Sequence, residues 1–228
     1  MTSTSSLGDQ AAGIGSLAEP VRRALYLFVS RQPVAVSREE AARGVGVPTH
    51  TAKFHLDKLV DGGLLDTEYR RLTGRSGPGA GRPTKLYRRS ERDFDVSLPE
   101  RNYDLLGHIL AEAVETSLEQ RTDVGEAAAH VARREGLRAG ATSESDGDPL
   151  ERTASTLEVH GFEPRVAGDR LLLDNCPFDR LAQEHTELVC GLNLEYVRGI
   201  IEGLQCTGLT ASLQPNKGRC CVVARIAT

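Results

Sequence analysis

The first 175 residues contain no cysteine, and the whole chain contains no tryptophan, one methionine and only five residues each of phenylalanine and tyrosine. With so few rings, aliphatic side chains must build the core. No window holds 18 consecutive apolar residues, which argues against a membrane-spanning helix. The opening stretch "MTSTSSLGDQAAGIG" has neither the basic start nor the apolar run of a signal peptide, so a cytoplasmic protein without a membrane partner is expected. In that compartment an odd set of five cysteines argues against a disulfide framework and for thiols, a metal or redox chemistry. Residues 150–228 show no nucleophile–base pattern and no paired carboxylates, so no enzyme is expected. "GPGAGRPTK" is no P-loop, because it lacks Gly-Lys-Ser/Thr and opens no apolar helix.

Charge is distributed unevenly. The net value is −4, yet residues 1–98 carry 15 Lys+Arg against 11 Asp+Glu, and residues 99–228 carry 13 against 21. A basic front half and an acidic back half imply an anionic partner for the front alone. The 228 residues suffice for two modest domains.

Residues 1–18, rich in Ser, Gly and Ala, read as a mobile arm. "EPVRRALYLFVSR" follows, with Pro20 at an early helical position and Val21, Leu25 and Phe28 or Val29 at helical spacing. Ser37 and Glu40 form a capping box that starts a short helix ending near Gly44. Gly46 and Val47 supply a turn, Pro48 sits at the start of the next helix, and Gly62-Gly63 ends it. Two helices across a short glycine turn make a helix-turn-helix candidate.

In the second helix of that pair, Ala52, Leu56, Leu59 and Val60 share the inner face. His50, Phe54, Asp57 and Lys58 lie opposite, with Thr51 and Lys53 on the flanks and Thr49 at the start. Thr, His and Lys side chains suit phosphates and base edges, and an outward Phe54 suits a thymine methyl group. The next stretch, "LLDTEYRRLTGRSGPGAGRPTKLYRR", reads as two extended segments around a Gly-, Pro- and Arg-rich loop. Residues 70–92 hold eight basic residues, Arg75, Arg82 and Lys85 among them, against the single acid Glu91. Such a wing follows a phosphate backbone or enters the minor groove while the helix occupies the major groove.

From about Glu100 to Gln120 a broad apolar stripe of Leu105, Leu106, Ile109, Leu110, Val114 and Leu118 marks a long helix. Either it packs on its own domain or it pairs two copies, as half-sites one helical turn apart require. A second helix is expected around Gly125–Glu135, and "RAGATSESDGD" reads as an exposed loop. Beyond Leu150 the pattern is a helix to about His160, strands "FEPRVAG" and "DRLLLDNC", helices "PFDRLAQEHTELVC" and "NLEYVRGIIEGLQC", and strands "LTASLQP" and "RCCVVARI".

The cysteines are expected at element ends: Cys176 between strand and helix, Cys190 and Cys206 at helix ends, Cys220 and Cys221 opening the last strand. Intervals of 13, 15 and 13 residues separate Cys176, Cys190, Cys206 and Cys220, without the close Cys-x2-4-Cys pair usual for structural zinc. Single thiolates so widely spaced suit an iron–sulfur cluster better, with zinc as the alternative metal. On a strand, Cys220 and Cys221 would face opposite ways, so one of them is expected to reach the site. His185, five residues before Cys190, is a further candidate ligand.

The overall expectation is an α+β chain: an arm at 1–18, a winged helix-turn-helix at 19–98, a helical linker and dimerisation region at 99–140, and a small α+β cysteine-containing sensor domain at 141–228. "FHLDKLVDGGLL", "GRPTKLY", "DNCPFDRLAQEHTELVCGLNLEYVRGIIEGL" and "GRCCV" together resemble the SufR-type iron–sulfur repressors, within a broader winged-helix group related to the ArsR and DeoR regulators. The resemblance covers about residues 20–226. It implies a homodimeric repressor of double-stranded DNA at a palindromic operator, acting on cluster-assembly genes. It also implies a cluster, usually [4Fe-4S], on Cys176, Cys190 and Cys220, with Cys221, His185 or Cys206 as a fourth ligand. The other readings of the residues are a zinc- or thiol-responsive regulator and a small-molecule sensor.

Overall fold

The computed structural model describes residues 7–71 and 83–227. Two compact units divide the chain, residues 1–96 and residues 97–228.

The amino-terminal unit contains α1 (Leu7–Ser16), α2 (Pro20–Ser30), β1 (Val36–Ser37), α3 (Arg38–Val45), α4 (Thr49–Asp61), β2 (Leu65–Arg70) and β3 (Thr84–Arg89). Residues 7–16 of the expected arm are therefore helical. In α1, Gly13 is buried against the ring of Phe94, where a Cβ would overlap it. Glu19 caps α2 by accepting from the backbone N–H groups of Val21 and Arg22. Ser37 and Glu40 form both bonds of the capping box. Helix α3 runs one residue past Gly44 and stops at Gly46, whose φ of 75° is the left-handed conformation that favours glycine. Leu25 and Val29 of α2 pack with Ala41, Ala52, Leu56, Leu59, Leu65 and Tyr87 in one core. Strands β1, β3 and β2 form an antiparallel sheet in that order, with Tyr69 opposite Lys85 and Thr67 opposite Tyr87.

The carboxy-terminal unit contains α5 (Tyr103–Gln120), α6 (Val124–Ala141), α7 (Pro149–Val159), β4 (Pro164–Ala167), β5 (Arg170–Leu173), α8 (Asp179–Glu184), α9 (Thr186–Gly203), β6 (Leu209–Leu213) and β7 (Val222–Ile226). Its sheet is antiparallel in the order β4-β5-β7-β6. Leu106, Ile109 and Ala113 of α5 and Val131 and Ala132 of α6 share one buried core with Tyr196, Val197 and Ile200 of α9 and Leu171 and Val222 of the sheet. Residues 99–140 are thus part of this unit and not a separate linker, because their apolar stripes are needed to cover α9 and the sheet. Only the far end of the α5 stripe faces outward, with Val114 48% and Leu118 76% exposed. Helix α6 extends six residues past the expected Glu135, so the exposed loop shortens to residues 142–148.

Helices α6 and α9 meet backbone to backbone. Gly136 and Gly140 of α6 lie against the carbonyl oxygens of Tyr196 and Ile200, and Gly199 and Gly203 of α9 lie against those of Arg133 and Leu137. Each pair is four residues apart and so occupies one helix face. A Cβ at any of the four would overlap the facing carbonyl.

Candidate nucleic-acid interface and candidate metal centre

The helix-turn-helix consists of α3, the turn at Gly46 and α4. Ala52, Leu56 and Leu59 bury one face of α4 in the core, so 3.6-residue geometry turns Thr49, His50, Lys53, Phe54 and Lys58 outward. Thr51 is half-buried at the edge, and Phe54 is 57% exposed. No core contact accounts for so open a ring; its neighbour is His55, edge-on with centroids 5.1 Å apart.

A second contact ties this helix to the hairpin. Asp57 of α4 accepts from Lys85 Nζ at 2.7 Å and from Tyr87 Oη at 3.0 Å, with Lys53 Nζ 3.9 Å away. Burial pushes the Asp57 carboxyl up, but the bonds from Lys85 and Tyr87 outweigh it and hold the carboxyl below its usual range. Burial and Asp57 together push the Tyr87 phenol well above its usual value. Lys85 therefore fixes β3 to α4, a structural task that the count of basic residues does not reveal. Arg75 and Arg82 lie outside the described residues.

In the carboxy-terminal unit the topology brings distant cysteines together. Strands β5 and β7 are antiparallel neighbours, so the end of β5 adjoins the start of β7. Cys176 lies just past β5, and the N–H of Cys220 donates to Leu173 O at 2.9 Å, which seats Cys220 beside that end. Cys190 lies in α9, which packs over the sheet. The Cys176 thiol interacts electrostatically with Cys220, and the Cys190 thiol with Cys221.

Three expectations change here. The expected helix 177–190 is two helices, broken at His185, and the second continues through Cys190 to Gly203. Cys190 therefore lies inside a helix and not at its end. Cys220 and Cys221 precede β7 instead of opening it. Strand alternation does not bind them, and both reach the cluster of thiols. Cys206 is elsewhere: its Sγ is buried near Pro149 O and Leu204 O, both 3.9 Å away. His185 is exposed at the α8–α9 junction.

Asn193, one helical turn past Cys190 and 2% exposed, donates through Nδ2 to Cys220 Sγ at 3.1 Å and lies 3.9 Å from Cys176 Sγ. The Cys176 thiol is pushed far up by its bond to Cys220 and by burial. Burial and the bond to Cys221 push the Cys190 thiol up to about 12. Cys220 goes the other way. The Cys176 S–H bond, opposed by burial and aided by the Val222 N–H, Asn193 and the Cys221 N–H, lowers it.

No three of these sulfurs lie within 4.8 Å of one another; among the described residues only His108, Glu112 and Glu135 do so as a potential single-ion group. Both of those carboxylates are already paired with Arg134. A tetrahedral zinc needs its sulfurs about 3.8 Å apart, given a bond of about 2.3 Å. Two buried side-chain polar atoms among the described residues of this unit lack a partner, Asn193 Oδ1 and Arg219 Nε. One belongs to the residue that bonds the thiols, and the other to the residue before Cys220. The Asn193 N–H aimed at Cys220 Sγ and the unpartnered Arg219 Nε–H are donors of the kind the sulfurs of an iron–sulfur cluster would accept from.

A helix-turn-helix domain family matches residues 17–68, which span α2 to the fourth residue of β2. No curated protein and no solved structure matches the chain. The family match makes the front unit a helix-turn-helix of the winged-helix regulator kind and points to a DNA-binding transcriptional regulator. Double-stranded DNA is its partner. Among the described residues, no helix is long and apolar enough to cross a membrane.

Proposed function

We propose that this chain is a transcriptional repressor whose operator affinity depends on an iron–sulfur cluster held by Cys176, Cys190, Cys220 and Cys221. The observation that carries the reading is the convergence of these cysteine-bearing segments at one end of the β5–β7 pair, where Asn193 of α9, one turn from Cys190, lies 3.1 Å from Cys220 Sγ and 3.9 Å from Cys176 Sγ. The [4Fe-4S] form and the control of cluster-assembly genes follow from the SufR-type resemblance. When bound, such a cluster supplies metal–sulfur bonds between the β5–α8 turn, α9 and the segment before β7, and a centre sensitive to oxidants, nitric oxide and iron loss.

The chain's own residues do the rest. Lys53 and Lys58 neutralise phosphates, Thr49, His50 and Thr51 sit at the groove end of α4, and Phe54 meets a thymine methyl group. Val114 and Leu118 on α5 supply an apolar face for a second copy, which a palindromic operator requires. Control requires only that DNA bind the loaded and cluster-free forms unequally.

Anaerobic reconstitution followed by iron and sulfide determination tests the reading, with about four of each per chain expected for a cubane. Operator affinity of the two forms is then compared, and the loaded form is expected to bind more tightly. Equal affinities, or negligible iron and sulfide, would reject it.

The Cys176 and Cys220 sulfurs, 3.9 and 3.1 Å from one Asn193 amide, favour a second reading, a thiol-responsive regulator in which Cys176 pairs with Cys220 and Cys190 with Cys221. In it, one peroxide oxidises each pair to a disulfide, two S–H bonds giving one S–S bond while the peroxide is reduced to two waters. Mass spectrometry of peroxide-treated, cluster-free protein distinguishes this reading by a loss of two hydrogens per pair together with altered DNA affinity.

A further inference from the structure

Among the described residues, Asn193 is the side chain that hydrogen-bonds Cys220 Sγ and approaches Cys176 Sγ. Three features set it apart. It is almost fully buried on α9, where an apolar residue would otherwise be expected on packing grounds. Its Nδ2 points at Cys220 Sγ and toward Cys176 Sγ, thiols contributed by two different segments. Its Oδ1 has no partner, an unfavourable arrangement in a buried site that calls for an explanation.

We infer that Asn193 is a positioning residue for the iron–sulfur site, holding the Cys220 and Cys176 sulfurs with amide N–H donors and thereby setting the reduction potential. The inference rests on the cluster reading above. Its physical basis is simple: reduction adds negative charge that spreads onto the sulfurs, and N–H dipoles aimed at sulfur stabilise that charge. Removing the donors makes reduction harder and moves the potential to more negative values. Position favours Asn193 for this work. One helical turn from Cys190, it is carried by the same rigid α9 that presents a ligand, so donor and sulfur stay in register.

Three variants test it: Asn193→Leu, nearly isosteric and without donors; Asn193→Asp, isosteric and without N–H; and Asn193→Gln, which keeps the amide. Each full-length protein is reconstituted anaerobically, its iron and sulfide are counted, and its midpoint potential is read by a redox titration followed by absorbance and electron paramagnetic resonance. The expected result is iron and sulfide at wild-type levels with a more negative potential in the Leu and Asp variants, and a potential restored toward wild type in the Gln variant. If Asn193→Leu does not fold, the Asp variant alone decides. A wild-type potential in a fully loaded Leu or Asp variant overturns the role of Asn193 and leaves the cluster reading intact. Wild-type protein without iron and sulfide overturns both.

Discussion

Arg101 Nη1 donates to the carbonyl oxygen of Cys176 at 2.9 Å, from the segment that leads into α5. The same guanidinium bonds Asn175 Oδ1, Asn175 Nδ2 donates to Glu100 O at 2.9 Å and Gly161 O at 2.7 Å, and the Asn102 N–H donates to Pro177 O at 3.1 Å. The turn that bears Cys176 is thus stitched to residues 100–102. Arg101→Ala removes a charged donor from half-buried acceptors and should destabilise the carboxy-terminal unit by about 1.5–3 kcal/mol. Urea denaturation of the variant checks this, and an unchanged midpoint would mean that the stitching is incidental. If cluster control reaches DNA through this segment, the affinity ratio between loaded and cluster-free forms shrinks as well.

Asp57 should give the amino-terminal unit an acid-sensitive step. Its folded carboxyl titrates below the unfolded value of 3.8, so its contribution is present above that pH and is lost as pH falls through the depressed folded value. Partial exposure and solvent screening keep the contribution small. A side-chain amide does not titrate in this range, so Asp57→Asn should lower the thermal midpoint at neutral pH and flatten its decline below about pH 4. Parallel wild-type and variant curves across that range would count against the assignment.

Gly199→Ala puts opposing effects in competition. Alanine favours an isolated helix by about 1 kcal/mol over glycine. A Cβ at this position, however, overlaps the carbonyl oxygen of Arg133 on the facing helix, and overpacking against backbone costs about 1–3 kcal/mol or more. Net destabilisation is expected, as for Gly140→Ala, which meets the Ile200 carbonyl oxygen. Chemical denaturation gives the sign, and a stabilised variant would contradict the close α6–α9 contact.

The cysteines should separate into two groups. Serine at Cys176, Cys190, Cys220 or Cys221 should abolish stable iron and sulfide incorporation, whereas Cys206→Ser should retain both, because Cys206 is buried apart from the other four. Iron and acid-labile sulfide per chain decide each case. Loss of the cluster from Cys206→Ser in a folded protein would return Cys206 to the ligand set.

Much of the front unit follows from local chemistry. The Ser37–Glu40 box, the glycine turn and the α4 periodicity each depend on residues a few positions apart, so spacing alone predicts them. The second unit resisted the same reading where contacts are long-range. The close crossing at Gly136, Gly140, Gly199 and Gly203 exists only because α6 and α9, far apart in sequence, pack together. Asn193 carried no sequence signal beyond being a polar residue in an apolar helix.

By itself the sequence determined that a capped helix-turn-helix precedes a cysteine-bearing α+β segment, because caps, turns and helical periodicity are set by neighbours along the chain. Tertiary structure decided the rest. It joined residues 99–140 to the cysteine-bearing region in one compact unit, since their apolar faces cover α9 and the sheet. It also placed Cys221 with the other thiols and Cys206 apart from them. Antiparallel pairing of β5 with β7 set which distant residues meet, and no spacing of cysteines along the chain encodes that register.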